Sequence, residues 1–145
     1  MMIKKIVVLG VISLTLLSKS YAQQYGNEII TEFFKNLENN PSLAFDNIFS
    51  SNNWFAENRT TVENVKKQYI SFVPELGNYI GFEKITEKQV TERFYIVSYF
   101  AYYERQPMRI IFILYKPNEK WQLQNLSFDD NYSDELKEYL KMDKR

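Results

Sequence analysis

Residues 93–104 read RFYIVSYFAYYE, and this stretch decides the fold class of the chain. Eight of its twelve side chains are aromatic or β-branched, which is typical of a β-strand. Residues 108–116, MRIIFILYK, have the same character, and Arg105-Gln106 fits a tight turn between the two segments. The sequence therefore predicts a long antiparallel hairpin as the centre of the fold.

Two further strands are predicted beside this hairpin. Pro117-Asn118-Glu119 has proline at a position that turns favour, and it leads into an apolar segment from Trp121 to Phe128. On the other side, Tyr79–Ile85 has the two-residue period of a strand. We therefore expect a four-stranded antiparallel sheet.

The two turns predict which side chains share a face of the sheet. With a turn at Arg105-Gln106, residues that lie opposite each other have numbers that sum to 211. With a turn at Asn118-Glu119, the numbers of opposed residues sum to 237. Alternation is lost after Leu123, which predicts a bulge near Gln124-Asn125. One face is then almost wholly apolar, and we assign it to the core: Val97, Tyr99, Ala101, Tyr103, Ile110, Phe112, Leu114, Trp121 and Leu123.

The opposite, outer face has an apolar centre with a polar rim, which is typical of a symmetric dimer interface. In this register Tyr102 lies opposite Arg109, close enough for a cation–π contact. The alternative is that a closing helix or N-terminal residues cover this face within one chain. The residues predicted for the interface are Phe100, Tyr102, Arg109, Ile111 and Ile113.

Three helices are predicted before the sheet, because apolar residues recur there every three to four positions. The first is capped by Asn27 and stops at Asn39-Asn40-Pro41, and the second has Pro41 in its first turn. The third begins with a capping box at Thr60 and Glu63. Pro74 and Gly77 are expected to end it.

Two shorter segments complete the prediction. Ser50–Asn58 is expected to be a polar loop, in which Trp54 and Phe55 cover the core or rim a pocket. Asp134–Met142 is expected to form a short closing helix. The fold class is thus α+β, with three N-terminal helices packed in a curved four-stranded antiparallel sheet.

The first 22 residues have the features of a secretory signal peptide. Lys4 and Lys5 precede an apolar run from Ile6 to Leu17, and Ser20-Tyr21-Ala22 offers a cleavage site after Ala22. A retained membrane anchor is the alternative, but the run is shorter than the roughly 20 residues that a span needs. We therefore expect a secreted or periplasmic protein with a single folded domain over residues 23–145.

Composition excludes several kinds of chemistry. The chain has no cysteine and no histidine, which rules out disulfides, thiolate catalysis, histidine general bases and the usual zinc sites. Beyond the leader, 15 basic and 18 acidic residues are evenly mixed, which disfavours nucleic-acid binding. Aromatic residues make up 17% of the chain, and they suit both a dense core and a ligand pocket.

The order of elements resembles the nuclear transport factor 2-like superfamily, whose cone fold is also called cystatin-like. Three segments carry the resemblance: Phe72-Val73-Pro74-Glu75-Leu76-Gly77, the strand Phe94–Tyr103, and the segment from Tyr115 to Trp121 that reads YKPNEKW. The order of elements and the kinds of residues in these segments are similar to those of small secreted bacterial members. The resemblance implies a sheet curved around the helices, a pocket at the open end and dimerisation through the sheet. Its members include isomerase-like and dehydratase-like enzymes as well as binding modules.

The predicted inner face has no acidic residue on its two central strands, which disfavours catalysis by a pocket carboxylate. Glu83, Glu87, Glu92 and Glu104 are expected at strand ends or beside turns, in water. Asp129-Asp130-Asn131 lacks the spaced ligands and the glycine of a calcium loop, so no metal or cofactor is predicted.

The leading hypothesis is a non-catalytic domain that binds a small apolar ligand or a protein partner. Alternatives are an isomerase or dehydratase-like enzyme with a pocket carboxylate, or an inhibitor or envelope-assembly subunit. The residues predicted to line a ligand pocket are Tyr99, Tyr103 and Trp121.

Overall fold

The computed structural model of the chain describes residues 26–142, apart from the side chain of Glu135. The predicted signal peptide and its cleavage site after Ala22 lie outside the described residues. The helices are α1 (26–39), α2 (Pro41–Ser50), α3 (Asn53–Glu57), α4 (Arg59–Leu76) and α5 (Ser133–Met142). The strands are β1 (Tyr79–Thr91), β2 (Phe94–Tyr103), β3 (Met108–Tyr115) and β4 (Gln122–Asp129).

The four strands form one antiparallel sheet in the order β1-β2-β3-β4, which confirms the α+β class and the antiparallel sheet. The predicted register of the central hairpin is wrong by two residues. Ala101 lies opposite Met108, so opposed residues sum to 209 rather than 211. Pro107 has no backbone N–H to donate, which is consistent with a ladder that starts only at Met108. Because a two-residue shift preserves alternation, the predicted inner face remains the inner face.

The predicted bulge in β4 is confirmed. Leu114 lies opposite Leu123, whereas Ile113 lies opposite Asn125, so Gln124 is the extra residue. The bulge turns Leu126 to the same buried side as Leu123. A single inserted residue thus restores one apolar face along the whole strand.

Strand β1 is longer than the predicted Tyr79–Ile85, because it continues to Thr91 along the full length of β2. Its pairing shifts at three places, each of which leaves one apolar residue unpaired: Ile80, Ile85 and Val90. Ile80 and Val90 are 67% and 47% exposed. Bulges in an edge strand bend it and interrupt the row of free backbone groups that would otherwise pair with another chain.

Within residues 26–142, four helices rather than three precede the sheet, because α3 replaces the predicted loop. Asn52 caps α3 by accepting a hydrogen bond from the Trp54 N–H at 3.0 Å. The same side chain donates to the Leu123 carbonyl at 2.9 Å, and the Ser51 hydroxyl accepts from the Leu123 N–H at 2.9 Å. The segment is therefore held by hydrogen bonds to Leu123 of β4, which is 71 residues from Asn52 and 72 residues from Ser51 in the sequence.

Helix α4 ends at Gly77 as predicted, but its start and its passage through Pro74 differ from the prediction. It begins at Arg59, so Thr60 lies within the helix and the predicted capping box does not form. It also continues through Pro74 to Leu76, although proline removes one helical hydrogen bond. Similarly, Asn27 lies inside α1 rather than capping it.

The C-terminal end of α4 is completed by the hairpin between β2 and β3. The Arg105 N–H donates to the Leu76 carbonyl at 3.0 Å, and its guanidinium donates to the Glu75 carbonyl at 2.9 Å. Gly77 then turns the chain with φ of 84°, a conformation that only glycine adopts readily. These bonds satisfy two carbonyls of the last turn of α4, which have no partner within the helix.

Helices α1, α2 and α4 pack against the inner face of the sheet. The Phe33 ring meets Phe112 edge-on at 5.2 Å, and Phe45 meets Phe128 at 6.4 Å. Tyr69 of α4 is fully buried beside them. Aromatic pairs in such edge-to-face arrangements add stability beyond the area that they bury.

Phe112→Ala should be strongly destabilising, because this fully buried ring contacts the rings of Phe33, Phe34 and Tyr99. We expect a loss of about 3–5 kcal/mol in the free energy of unfolding, measured by urea denaturation. Phe72→Ala is the matched control, since Phe72 is 38% exposed, and it should cost less than half as much. Equal losses would contradict the placement of the core.

Candidate ligand site on the inner face of the sheet

The three residues predicted to line a pocket all lie buried on the inner face, but they do not form one group. Tyr103 is at the end of β2 beside Tyr69, and Tyr99 lies at its middle, 5.1 Å from the Phe34 ring centroid. Trp121 lies at the opposite end of the sheet, 6.3 Å from Tyr95. The structure thus distributes them along the length of the sheet.

At the Tyr103 end, three phenols meet inside the core. The hydroxyls of Tyr69 and Tyr103 share a hydrogen bond of 2.5 Å, and the Tyr79 ring lies 5.5 Å from Tyr103. Burial raises the pKa of each of these tyrosines above its ordinary value. All three therefore stay neutral at physiological pH, and the hydroxyl bond links α4 to β2.

Sequence reasoning missed Glu87, which the structure places on the inner face of β1. Because β1 continues to Thr91, Glu87 lies at mid-strand opposite Val97 rather than beside a turn. Tyr95 donates its hydroxyl proton to Glu87 Oε2, and Lys84 Nζ lies 3.0 Å from the same oxygen. The length of β2 was the available signal, since a hairpin partner joined by a short turn is of similar length.

An exposed aromatic ring lies next to this polar group. Phe82 stacks on Phe34 with ring centroids 4.2 Å apart and planes within 4°, yet it is 39% exposed. Along β1, Phe82 and Lys84 lie opposite Ala101 and Tyr99 on the inner face of β2. We call this region the β1 inner site; it consists of Phe34, Phe82, Lys84, Glu87, Tyr95 and Tyr99.

The charges of the β1 inner site are mutually satisfied. Burial raises the pKa of Tyr95, and its hydrogen bond to Glu87 raises it further. Burial and then the charge of Glu87 raise the pKa of Tyr99. Both phenols are therefore proton donors at neutral pH, beside an ammonium and a carboxylate. Such a group can fix the polar end of a ligand whose apolar part lies on Phe82.

The outer face is half-buried within a single chain. Arg109 lies opposite Phe100, not Tyr102 as predicted, because of the two-residue shift in register. Its guanidinium donates to both carboxylate oxygens of Asp129, at 3.2 and 2.8 Å. Each predicted interface residue is partly buried: Phe100, Tyr102, Arg109, Ile111 and Ile113.

Helix α5 and the turn before it lie over part of this face. The Tyr132 ring contacts Phe100 edge-on at 5.3 Å, and the Tyr139 hydroxyl donates to the Ile85 carbonyl at 2.5 Å. The predicted closing helix is thereby confirmed. Leu140 and Met142 of this helix are 68% and 71% exposed, so only part of its apolar surface is buried against the sheet.

Asp129 acts as an ion-pair and turn residue. Besides its pair with Arg109, it accepts a hydrogen bond from the Asn131 N–H at 2.9 Å. Within residues 26–142, no three acidic side chains are grouped so as to hold a metal ion. Among the helices described here, none combines the length and apolarity that crossing a bilayer requires.

Comparison with known proteins finds no matching family model, no matching curated protein and no matching solved structure.

Replacing Tyr69 by Phe should leave the buried Tyr103 hydroxyl without its partner, at a cost of about 1–3 kcal/mol in unfolding free energy. Tyr103→Phe should behave likewise, and the double variant should lose less than the sum of the two. Urea denaturation of all three variants tests this. Tyr115→Phe, at a half-buried outer position, is the control and should change stability by no more than about 0.5 kcal/mol. Additive losses would show that the hydroxyls do not interact.

Stability should decline at alkaline pH. The pKa values of Tyr69, Tyr79, Tyr95 and Tyr99 are raised in the folded chain, so their contribution is complete below the unfolded value of about 10. It is lost as pH rises above that value toward the folded ones, because the unfolded chain then releases protons first. Absorbance at 295 nm and circular dichroism should show tyrosinate formation together with unfolding. Ionisation of every tyrosine near pH 10 with the fold intact would contradict the burial of these phenols.

Proposed function

We propose that the protein is an exported, non-catalytic domain that binds a small apolar ligand with one polar group at the β1 inner site. The observation that carries this proposal is Phe82, an aromatic ring that stacks on the core through Phe34 but remains 39% exposed. It lies on the same face as the Lys84–Glu87–Tyr95 group. An apolar surface with a few convergent polar groups is the usual composition of a small-molecule site.

Tyr99 belongs to this proposed site, whereas Tyr103 and Trp121 support it from either end of the sheet. Tyr103 is bonded to Tyr69 inside the core. The Trp121 ring lies beneath Lys116 Nζ, which is 5.4 Å from the ring centroid. The proposed ligand site is therefore displaced from the predicted one toward the edge strand β1.

An enzyme remains the second candidate, because one specific observation favours it. The Glu87 carboxylate and the Tyr95 hydroxyl together provide a proton acceptor and a proton donor on the inner face, as an isomerase-type reaction needs. Lys84 and Tyr95 both contact Glu87 Oε2, however, and the Glu87 side chain is 31% exposed. These surroundings favour a ligand anchor over a desolvated catalytic base.

We also propose that the fold is the cone fold of the nuclear transport factor 2-like superfamily. Helices α1, α2 and α4 lie on the inner face, and the two edge strands contain four bulges in all within the described chain. Bulged edge strands are a means of curving a sheet around helices. Export rests on the charged and apolar pattern of residues 1–22, with cleavage after Ala22.

The outer face is our proposed surface for a second copy of the chain or for an envelope protein. Phe100, Ile111 and Ile113 stay partly accessible although Tyr132 covers one edge of Phe100. Arg109 and Asp129 supply the charged rim. An apolar centre with a paired polar rim is typical of protein interfaces.

Ligand binding is tested by thermal shift of the purified protein with fatty acids, sterols and aromatic alcohols. A ligand at 100 times its dissociation constant should add about 2.7 kcal/mol to the unfolding free energy. For a ligand so found, Phe82→Ala and Glu87→Gln should each weaken binding at least tenfold. Ile80→Ala is the control, because Ile80 is on the same strand, is 67% exposed and lies at a bulge outside the site.

The outcomes separate the two candidates. Unchanged affinity in Phe82→Ala would exclude the β1 inner site. Turnover of a bound ligand that Glu87→Gln abolishes while retaining affinity would replace the binding function by the enzymatic one.

Ile111→Lys should abolish self-association while leaving the monomer folded, because it places a charge at the apolar centre of the outer face. Sedimentation equilibrium over a wide concentration range provides the measurement, with circular dichroism as the check on folding. A wild-type chain that is monomeric at every concentration would rule out the homodimer.

A further inference from the structure

A second cleft lies among α2, α3 and α4, and the β1 inner site makes no use of it. Its volume is about 350 Å³. Phe49 and Phe55 form its floor, with their rings edge-to-face at 4.7 Å, and Val62 lies beside them. All three are buried in the core cluster, so the floor is apolar and fixed.

One end of the cleft is negatively charged. Lys66 Nζ lies 2.8 Å from Asp46 Oδ1 and 2.8 Å from Glu63 Oε1. The lysine side chain is only 11% exposed, whereas the two carboxylates are 49% and 48% exposed. The hydrogen bonds to Asp46 and then Glu63 raise the pKa of Lys66, so it stays charged. Two accessible carboxylates sharing one buried ammonium leave a net charge of −1 toward solvent.

A positively charged side chain also lines the cleft, one helical turn from Glu63. Arg59 is the first residue of α4, and Arg59, Val62, Glu63 and Lys66 follow one another at helical spacing along one face of that helix. Arg59 is exposed, and within the part of the chain that the structure describes it takes part in no ion pair. Its guanidinium is therefore available to a carboxylate, which it can bind through two parallel hydrogen bonds.

We propose that this cleft binds a free amino acid with an apolar side chain. The ammonium group of the ligand binds Asp46 and Glu63, its carboxylate binds Arg59, and its side chain lies on Phe49 and Phe55. The volume is within the range of small-molecule sites. A ligand with only one charge would leave either Arg59 or the acidic pair unmatched, so both charges are required for recognition.

The proposal is tested by calorimetric and NMR titration of the purified full chain with phenylalanine. N-acetylphenylalanine lacks the ammonium group and phenylalaninamide lacks the carboxylate, so each should bind at least tenfold more weakly. Arg59→Gln and Glu63→Gln should each weaken phenylalanine binding at least tenfold. Lys67→Gln, on the same helix but outside the cleft, should bind phenylalanine as the wild type does. Thermal unfolding of each variant verifies the fold.

Saturable binding that requires both charges, with amide shifts at Phe49, Phe55 and Val62, would establish the site. Equal binding of all three probes, unchanged affinity in Arg59→Gln, or no binding of phenylalanine or leucine at millimolar concentration would overturn it. The last result would leave the Asp46–Lys66–Glu63 cluster as a purely structural link between α2 and α4. Phe82→Ala should not affect phenylalanine binding, which separates this site from the β1 inner site.

Discussion

The rest of the structure depends on covering the inner face of β2 and β3. Along these two strands nearly all the inner side chains are large and apolar, so their burial is a major favourable contribution to the free energy of folding. Phe112 lies at the centre, in contact with two rings of α1 and with Tyr99. Helices α1, α2 and α4 are held where they are because they exclude water from this face.

The helices that cover the inner face are attached to the sheet at their ends by hydrogen bonds. Ser51 and Asn52 satisfy both backbone groups of Leu123, which attaches the junction of α2 and α3 to the edge strand β4. Arg105 satisfies the end of α4 from the hairpin between β2 and β3. Buried or half-buried backbone groups require partners, so these few bonds determine where the helices end. Arg59 and Phe55 both line the cleft among α2, α3 and α4.

Both proposed sites lie where the packing of the helices leaves side chains partly accessible to solvent. Strand β1 is bulged at three positions, and among the described helical residues only Phe34 stacks on a ring of its inner face, so Phe82 keeps a partly open surface. Beside the Phe45–Tyr69 contact between α2 and α4, a lysine with two carboxylates links the helices, and the space next to it stays accessible. Polar groups that are satisfied within the chain but still reach solvent are the ones that a ligand can use.

The sequence by itself determined the α+β class, the antiparallel sheet, the membership of its inner face and the bulge at Gln124. All of these follow from side-chain alternation, which a two-residue error in register leaves intact. Tertiary structure alone decided the length of β1, the existence of α3 and the passage of α4 through Pro74. Each depends on a partner far along the chain: β2, Leu123 and Arg105. The candidate site depends on tertiary structure in the same way, since Glu87 faces inward only because β2 pairs with it. Nothing within β1 itself indicates that pairing, and the length of β2 is its one indirect signal in the sequence.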